Sequence, residues 1–263
     1  MNARKIVPAI IAAVTLTTVL ALGAGAAETA ATKIPAYAAS AVADPARPAD
    51  DTVRDANRRP AEMIVFAGVK PGAVVVDLIP GKGYFTRLFA KAVGPSGHVY
   101  AYFPSELDGM LKGKQPSVTA VTNDGANYGN VTLIHAPVAK FVTPQLVDVV
   151  WTSQNYHDLH DSFFGPQDLS VVNKAIYNSL KPGGYYVVLD HVAEKGSGLR
   201  DTDTLHRIDP AAVKAEVTAA GFQFVSEDDG LRNPADPHTA NVFDASIRGK
   251  TDQFVYKFRK PLR

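Results

Sequence analysis

The sequence predicts an α/β fold in which a largely parallel sheet lies between two layers of helices. Residues 73–78 (AVVVDL) are a continuous apolar run rich in β-branched side chains, which is typical of a strand buried on both faces. A glycine turn and a pattern of helical period follow, and further apolar runs alternate with helical patterns along the chain. The 263 residues are enough for one such domain and a tail.

The first residues of the chain, 1–26, are typical of a secretory signal peptide. Arg4 and Lys5 form a positive segment, residues 6–22 are apolar, and residues 24–26 (AGA) suit a cleavage site. An uncleaved membrane anchor is the alternative, because the apolar run is close to spanning length. A proline in that run favours cleavage, so we expect a periplasmic or secreted protein without stable membrane insertion.

The segment that follows, residues 27–47, is rich in Ala, Thr and Pro, and we interpret it as a flexible leader. A single domain is then predicted over residues 48–263. Asp50 and Asp51 are expected to cap its first helix, and Pro60 suits the first turn of a second helix.

The remaining elements follow from the period of the apolar side chains. A polar stretch rich in Gly and Asn, residues 113–130, is predicted to be a loop. Asp209 is expected to cap the helix that begins at Pro210. The predicted helices are 84–93, 107–111, 169–180 and 210–220, and the predicted later strands are 98–103, 131–135, 146–151, 185–191, 221–225 and 254–258.

Composition and motifs exclude several classes of function. The 27 basic and 26 acidic residues nearly cancel without a basic stripe, so nucleic acid is not an expected partner. The absence of cysteine excludes disulfides, a thiol nucleophile and a cysteine zinc site. Serine hydrolases, zinc proteases and nucleoside triphosphatases lack support, because the sequence has no G-x-S-x-G, H-E-x-x-H or phosphate-loop motif.

The turn after the first strand, which contains Pro80, Gly81 and Gly83, has the features of a ligand site. Glycine lets a ligand approach the backbone, and the next helix offers unpaired N–H groups at its N-terminus. Asp77, at the end of the strand, can accept a hydrogen bond from an ammonium or hydroxyl group. Two ligands suit such a turn: a dinucleotide, whose fingerprint is G-x-G-x-x-G/A, and S-adenosylmethionine.

Asp77, Gly81 and Gly83 resemble the first motif of the class I S-adenosylmethionine-dependent methyltransferases, and Ile79 stands where that family has its first glycine. The order of a helix, LKPGG at residues 180–184 and an apolar strand also resembles this family. A closer likeness is to the predicted exported methyltransferases of bacteria. It is carried by DLIPGKGYFT, QNYHDLHD, LHRIDPAAV and RNPADPHTANVFDASIRGKTDQFVYKFRKP.

The resemblance implies a Rossmann-like, doubly wound sheet, mostly parallel with an antiparallel last strand, and helices on both faces. It implies S-adenosylmethionine as cofactor and methyl transfer to a small-molecule substrate. Asp77, Pro80, Gly81 and Gly83 would then bind the cofactor. Two further cofactor contacts are expected from the second and fourth strands, at Phe103 and Asn155.

For catalysis, the sequence suggests His157 as a general base, because it follows the fourth strand and an unperturbed histidine is largely neutral at pH 7. Asp158 is its neighbour in sequence, but Asp190 or His191 is expected to orient it better, because helical neighbours point apart. His206 would complete a rim of histidines with His157 and His191. No metal ligand is assigned in this interpretation.

Two alternatives remain at this level. One is a metal-dependent enzyme that uses the three histidines of the rim. The other is a non-catalytic exported binding protein that has kept the fold and lost the cofactor, and Ile79 and Phe103 support it. The fold alone does not choose among these functions.

Overall fold

A seven-stranded sheet forms the centre of the protein in the computed structural model, which describes residue 1, residues 33–165 and residues 167–263. The predicted signal peptide lies outside these residues, apart from Met1. The strand order is β3-β2-β1-β4-β5-β7-β6. The strands are Val74–Leu78 (β1), His98–Pro104 (β2), Val131–Ala136 (β3), Val147–Ser153 (β4), Leu180–His191 (β5), Gln223–Asp228 (β6) and Gln253–Arg259 (β7).

Helices precede, separate and cover these strands. Within the described residues, four short 3-10 segments also occur, at Ser105–Leu107, Val138–Lys140, His157–His160 and Ser162–Phe164. The α-helices of the described residues are Ala36–Val42 (α1), Ala49–Thr52 (α2), Asp55–Arg58 (α3), Pro60–Ala67 (α4), Tyr84–Val93 (α5), Asp108–Leu111 (α6), Thr119–Thr122 (α7), Gly125–Tyr128 (α8), Leu169–Ser179 (α9), Thr202–Leu205 (α10) and Pro210–Ala219 (α11).

The strand directions confirm the predicted fold class. β1 to β5 pair in parallel, and β7 runs antiparallel to both β5 and β6. The chain moves outward from β1 through β2 to β3 and then returns to β4 on the other side of β1. The sheet is therefore doubly wound, and its switch point, where ligands bind in open α/β sheets, lies between β1 and β4.

Two apolar cores cover the two faces of the sheet. On one face α1, α4 and α5 pack against alternate strand residues that include Val75, Val99 and Trp151. On the other face α9 and α11 pack against the intervening residues, such as Val76 and Val150. Because the side chains of a strand alternate between faces, the continuous apolar runs of β1 and β4 supply both cores.

Local sequence explains where several helices begin and end. Asp209 accepts a hydrogen bond from the backbone N–H of Ala211, as expected for the cap of α11. Asp168 caps α9 in the same way through Ser170. Pro60 occupies the first turn of α4, and this helix ends at Gly68 in the left-handed conformation.

The predicted flexible leader is wrong from residue 33 onward, since the compact unit begins at Lys33. Ala38 and Ala41 of α1 are fully buried against α4 and α5, because small side chains allow close approach of helices. Arg47 then binds Asp55 through two hydrogen bonds of 2.6 and 2.8 Å. The leader therefore belongs to the domain.

Three smaller differences concern other elements. The predicted loop at residues 113–130 contains the single-turn helices α7 and α8, because Val118, Val121 and Tyr128 are buried against the core. β5 begins at Leu180 rather than at residue 185, since Leu180 already pairs with Val147 before a register shift. α2 has no side-chain cap, so Asp50 and Asp51 do not cap it as predicted.

No helix within the described part of the chain is long and apolar enough to cross a membrane.

Candidate active site

A cavity of about 640 Å³ opens at the switch point of the sheet. Its wall is formed by the turn after β1, the segment after β4, the end of β5 and the long loops that follow β5 and β6. Of the nine residues predicted for the site, seven line this cavity: Asp77, Pro80, Gly81, Asn155, His157, Asp158 and His191. Gly83 and Phe103 do not.

The two glycines of the turn have different roles. Gly81 has a φ of 58° and an added Cβ would meet nothing within 4 Å, so this glycine leaves open space beside the cavity. Gly83 has a φ of 84°, but its Cβ would lie 2.6 Å from the side chain of Val121. A valine at position 83 would therefore disturb the packing under α5, and Gly83 is required by the core.

Ile79 retains the backbone conformation that a glycine would adopt. Its φ is 57°, which is rare for a β-branched residue and costs about 1–2 kcal/mol. Two hydrogen bonds hold this conformation: its N–H donates to Tyr102 O at 2.9 Å, and its carbonyl accepts from Asn155 Nδ2 at 3.1 Å. The departure from the family motif therefore leaves the path of the turn intact.

Asp77 is a buried carboxyl group at the floor of the cavity. It is 3% exposed and accepts a hydrogen bond of 2.6 Å from the hydroxyl of Thr86. Burial raises the pKa of Asp77 to about 7, against the opposing effects of the Thr86 hydroxyl and the Arg58 cation. The group is therefore partly ionised at neutral pH, and a cation bound beside it would favour the ionised form.

Arg58 and Arg54 line the same cavity, and the sequence interpretation missed both. The guanidinium of Arg58 lies 4.7 Å from the ring centroid of Tyr84 and donates a hydrogen bond to Gln154 Oε1. Burial and the nearby Arg54 lower the pKa of Arg58 to about 10, so it stays charged at neutral pH. Only tertiary structure brings α3 to this position, because no spacing in the sequence connects it to the turn.

Of the two remaining predicted cofactor contacts, Asn155 lines the cavity and Phe103 does not. Asn155 lines the cavity, and its Nδ2 also donates to Ser153 O at 2.6 Å, so it ties the segment after β4 to the turn after β1. Phe103 is packed in the core with its ring 5.7 Å from His135. Leu107 and Met110, from the segment after β2, line the cavity in its place.

His157 is held from both sides by carboxylates. Its Nδ1 lies 2.8 Å from Asp190 Oδ1, and its backbone N–H donates to Asp190 Oδ2 at 2.8 Å. Its Nε2 lies 3.1 Å from Asp158 Oδ1 and 3.3 Å from His206 Nδ1. Asp190 is thus the partner expected from elsewhere in the chain. Asp158 also reaches the ring, contrary to expectation, because the segment is a tight 3-10 turn.

This environment contradicts the neutral state expected for His157. Burial lowers its pKa, but Asp190 and Asp158 outweigh this effect and raise the pKa to about 10. His157 is therefore a cation at neutral pH and has no free site to accept a proton. A general base must be neutral to accept a proton, so this charge disfavours that role for His157.

His191 and His206 differ from His157 and from each other. Burial lowers the pKa of His191 to about 3, so this histidine is neutral and weakly basic, with Nδ1 2.7 Å from the hydroxyl of Thr251. The ring of His206 is partly exposed and packs edge-on against Phe243 at 5.0 Å. The predicted rim of three histidines exists, but its members have distinct environments.

Comparison with solved structures identifies the class of this fold. An S-adenosylmethionine-dependent methyltransferase from Aquifex aeolicus has a TM-score of 0.52 at 17% identity and covers 76% of this chain and 88% of its own. An arsenic(III) S-adenosylmethionine methyltransferase from Chlamydomonas reinhardtii has a TM-score of 0.52 at 17% identity. The match covers 86% of this chain and 74% of the algal protein. The chain has the class I methyltransferase fold, as the sequence predicts.

Sequence comparison finds similarity to a methyltransferase over about half of the chain. The chain is 33% identical over 130 residues to the ubiquinone/menaquinone biosynthesis C-methyltransferase UbiE of Hydrogenovibrio crunogenus. The aligned residues make up 48% of this chain and 45% of the relative. The chain thus spans less than half the length of this curated relative. No protein-family model matches it.

Proposed function

We propose that this protein transfers a methyl group from S-adenosylmethionine to a small-molecule acceptor. The observation that carries the proposal is the cavity at the switch point, where Asp77 and the open face of Gly81 meet. The class I fold and the similarity to methyltransferases support it. A non-catalytic binding protein on the same fold remains the alternative outcome of the test below.

The charges of the cavity fit the amino-acid end of this cofactor. Arg58 is a buried cation that suits a carboxylate, and Asp77 is a buried carboxyl group that suits an ammonium. Gly81 leaves room for a ligand against the backbone. When bound, the cofactor would supply an electrophilic methyl group. These three residues would hold and orient it.

The apolar part of the cavity would hold the acceptor. Leu107, Met110, Phe163 and Phe243 line it with large side chains that can exclude water. Because His157 is cationic and His191 is weakly basic, neither is placed to remove a proton from the acceptor. The residues would therefore contribute mainly by positioning the acceptor in line with the methyl group.

Calorimetric titration with S-adenosylmethionine and S-adenosylhomocysteine tests the proposal. We expect the wild-type protein to bind both, and Asp77→Asn to weaken binding by roughly 10- to 100-fold, because it removes a charged acceptor. Asp148→Asn is the matched control, since Asp148 lies at the opposite end of β4 and pairs with Lys181 outside the cavity. Absence of binding at millimolar concentration would leave the binding-protein alternative.

We also propose that the protein is exported, on the strength of the sequence of residues 1–26. N-terminal sequencing of the protein from its native cell envelope is the test. A mature chain that begins near Ala27 would support export with cleavage, and a chain that begins at Met1 would contradict it.

A further inference from the structure

Four side chains that can ligate a cation converge beside the cavity. His157, Asp158 and Asp161 come from the tight turns after β4, and His206 comes from the end of α10. One nitrogen or oxygen atom of each lies within 4.8 Å of the corresponding atom of every other. We call this group the His2Asp2 cluster.

The buried carboxylate of Asp161 indicates that the cluster lacks a bound cation. The side chain of Asp161 is fully buried, and neither carboxylate oxygen meets the geometry of a hydrogen bond among the described residues. The neighbouring hydroxyl of Thr202 donates to Leu199 O at 3.3 Å instead. The nearest ring nitrogen, His206 Nδ1, lies 3.6 Å from Asp161 Oδ2, outside hydrogen-bond distance. A buried carboxylate without a partner is costly, and such a group calls for a specific explanation.

Four of the six separations within the cluster are close to those of a tetrahedral metal site. Zinc binds histidine nitrogen and carboxylate oxygen at about 2.0–2.2 Å, which places tetrahedral ligand atoms about 3.3–3.6 Å apart. His157 Nε2 lies 3.1 Å from Asp158 Oδ1 and 3.3 Å from His206 Nδ1. His206 Nδ1 lies 3.6 Å from Asp161 Oδ2 and 3.8 Å from Asp158 Oδ1. The other two pairs, His157–Asp161 and Asp158–Asp161, are at most 4.8 Å apart, so Asp161 would have to move toward the other ligands for the site to close.

The surroundings of the cluster also suit a metal. Asp190 Oδ1 lies 2.8 Å from His157 Nδ1, so the Nδ1–H can donate to the carboxylate and leave Nε2 directed into the cluster. This carboxylate–histidine arrangement is the usual support of a metal-ligating histidine. Binding would displace the Nε2 proton of His157, and the two carboxylates and two neutral imidazoles would then balance the charge of a divalent cation.

We propose that His157, Asp158, Asp161 and His206 bind one divalent transition-metal cation, of which zinc is the best fit. The site forms part of the cavity wall, because three of its ligands line the cavity. It differs from the three-histidine rim of the sequence interpretation, since Asp161 joins it and His191, held by Thr251, stays out. The proposal does not depend on methyl transfer.

Cobalt(II) is the probe for the experiment, because tetrahedral Co²⁺ absorbs visible light far more strongly than octahedral Co²⁺. The purified protein is treated with a chelator, dialysed and titrated with Co²⁺. We expect one intense visible band that saturates at one equivalent and disappears on addition of one equivalent of Zn²⁺. Asp161→Asn and His206→Gln should each lower Co²⁺ affinity at least about tenfold.

Asp203→Asn is the matched control, because Asp203 is an exposed carboxylate of α10 that lies outside the cluster. It should bind Co²⁺ as the wild type does. Thermal unfolding gives an independent readout: Zn²⁺ should raise the melting temperature of the wild type and of Asp203→Asn, but not of Asp161→Asn. If Asp161→Asn does not fold, the partly exposed His206 keeps the test available. Absence of the band, or equal affinity in His206→Gln and wild type, would overturn the proposal.

Discussion

At the scale of single residues, the site depends on ionisable groups whose behaviour is set by burial. Asp77, His157 and His191 have pKa values of about 7, 10 and 3, although each would titrate normally in water. Burial is the first cause in all three. Charged neighbours then separate the two histidines, because two carboxylates raise the pKa of His157. For His191, burial and the nearby cations His157, Arg207 and Arg58 outweigh the raising effect of Asp190.

Asp77 should make the stability of the ligand-free protein depend on pH. Its folded pKa of about 7 exceeds the unfolded value of 3.8, so its contribution is fully present below about pH 4 and is lost as pH rises to about 7. This difference between the folded and unfolded pKa values corresponds to at most about 4 kcal/mol in the free energy of unfolding. Arg58 and Thr86 are the charged and polar groups that face it.

The measurement is urea denaturation of wild type and Asp77→Asn at pH 4, 5.5 and 7.5. We expect the stability of wild type relative to Asp77→Asn to fall as pH rises, because the variant cannot ionise at this position. A difference between the two proteins that does not change with pH would contradict the raised pKa of Asp77.

At the scale of elements, the long loop between β6 and β7 is anchored by a buried ion pair. Arg207 is fully buried, with its Nη1 2.9 Å from Asp236 Oδ2. It also donates to the backbone carbonyls of Val192 and Ala240. This anchor places Val242 and Phe243 at the cavity. The loop therefore contributes to the site and does not merely cover the edge of the sheet.

Arg207→Met should destabilise the protein by about 3–5 kcal/mol, because it leaves Asp236 buried without its cation. Arg59→Met is the control, since the ion pair of Arg59 with Glu62 is exposed on both sides, at 41% and 35%, and exposed ion pairs contribute little. Chemical denaturation at neutral pH measures both. Equal effects of the two substitutions would show that burial of the Arg207 pair does not matter.

At the scale of the whole molecule, α1 closes one face of the sheet. It packs its small residues on α4 and α5, and Arg47 and Asp55 join the segment after it to the domain. Removal of the predicted signal peptide at residue 26 would leave this helix intact. α1 therefore belongs to the domain.

A chain that begins at residue 48 should be less stable than one that begins at residue 27, by at least about 2 kcal/mol. The shorter chain loses the buried Ala38 and Ala41 and leaves Asp55 without Arg47. Thermal and urea unfolding of the two chains measure the difference. If both unfold at the same midpoint, α1 does not contribute to the stability of the domain.

The sequence by itself determined the order and type of most elements. The apolar runs of β1 and β4, the cap Asp209 and the glycine that ends α4 act through neighbours within a few residues, so their patterns are legible in the chain. The same local patterns placed the candidate site at the turn after β1 and at the segment after β4. Seven of the nine predicted residues line the cavity for this reason.

Only the tertiary structure decided the direction and charge of the key side chains. The largest charge effect on His157 comes from Asp190, which is 33 residues away, and its ring meets His206, which is 49 residues away. Gly83 meets Val121 rather than the cavity, and Arg58 reaches the cavity from a helix that precedes β1. Electrostatic interactions and packing depend on distance in space, and a local pattern of residues carries no information about such distances.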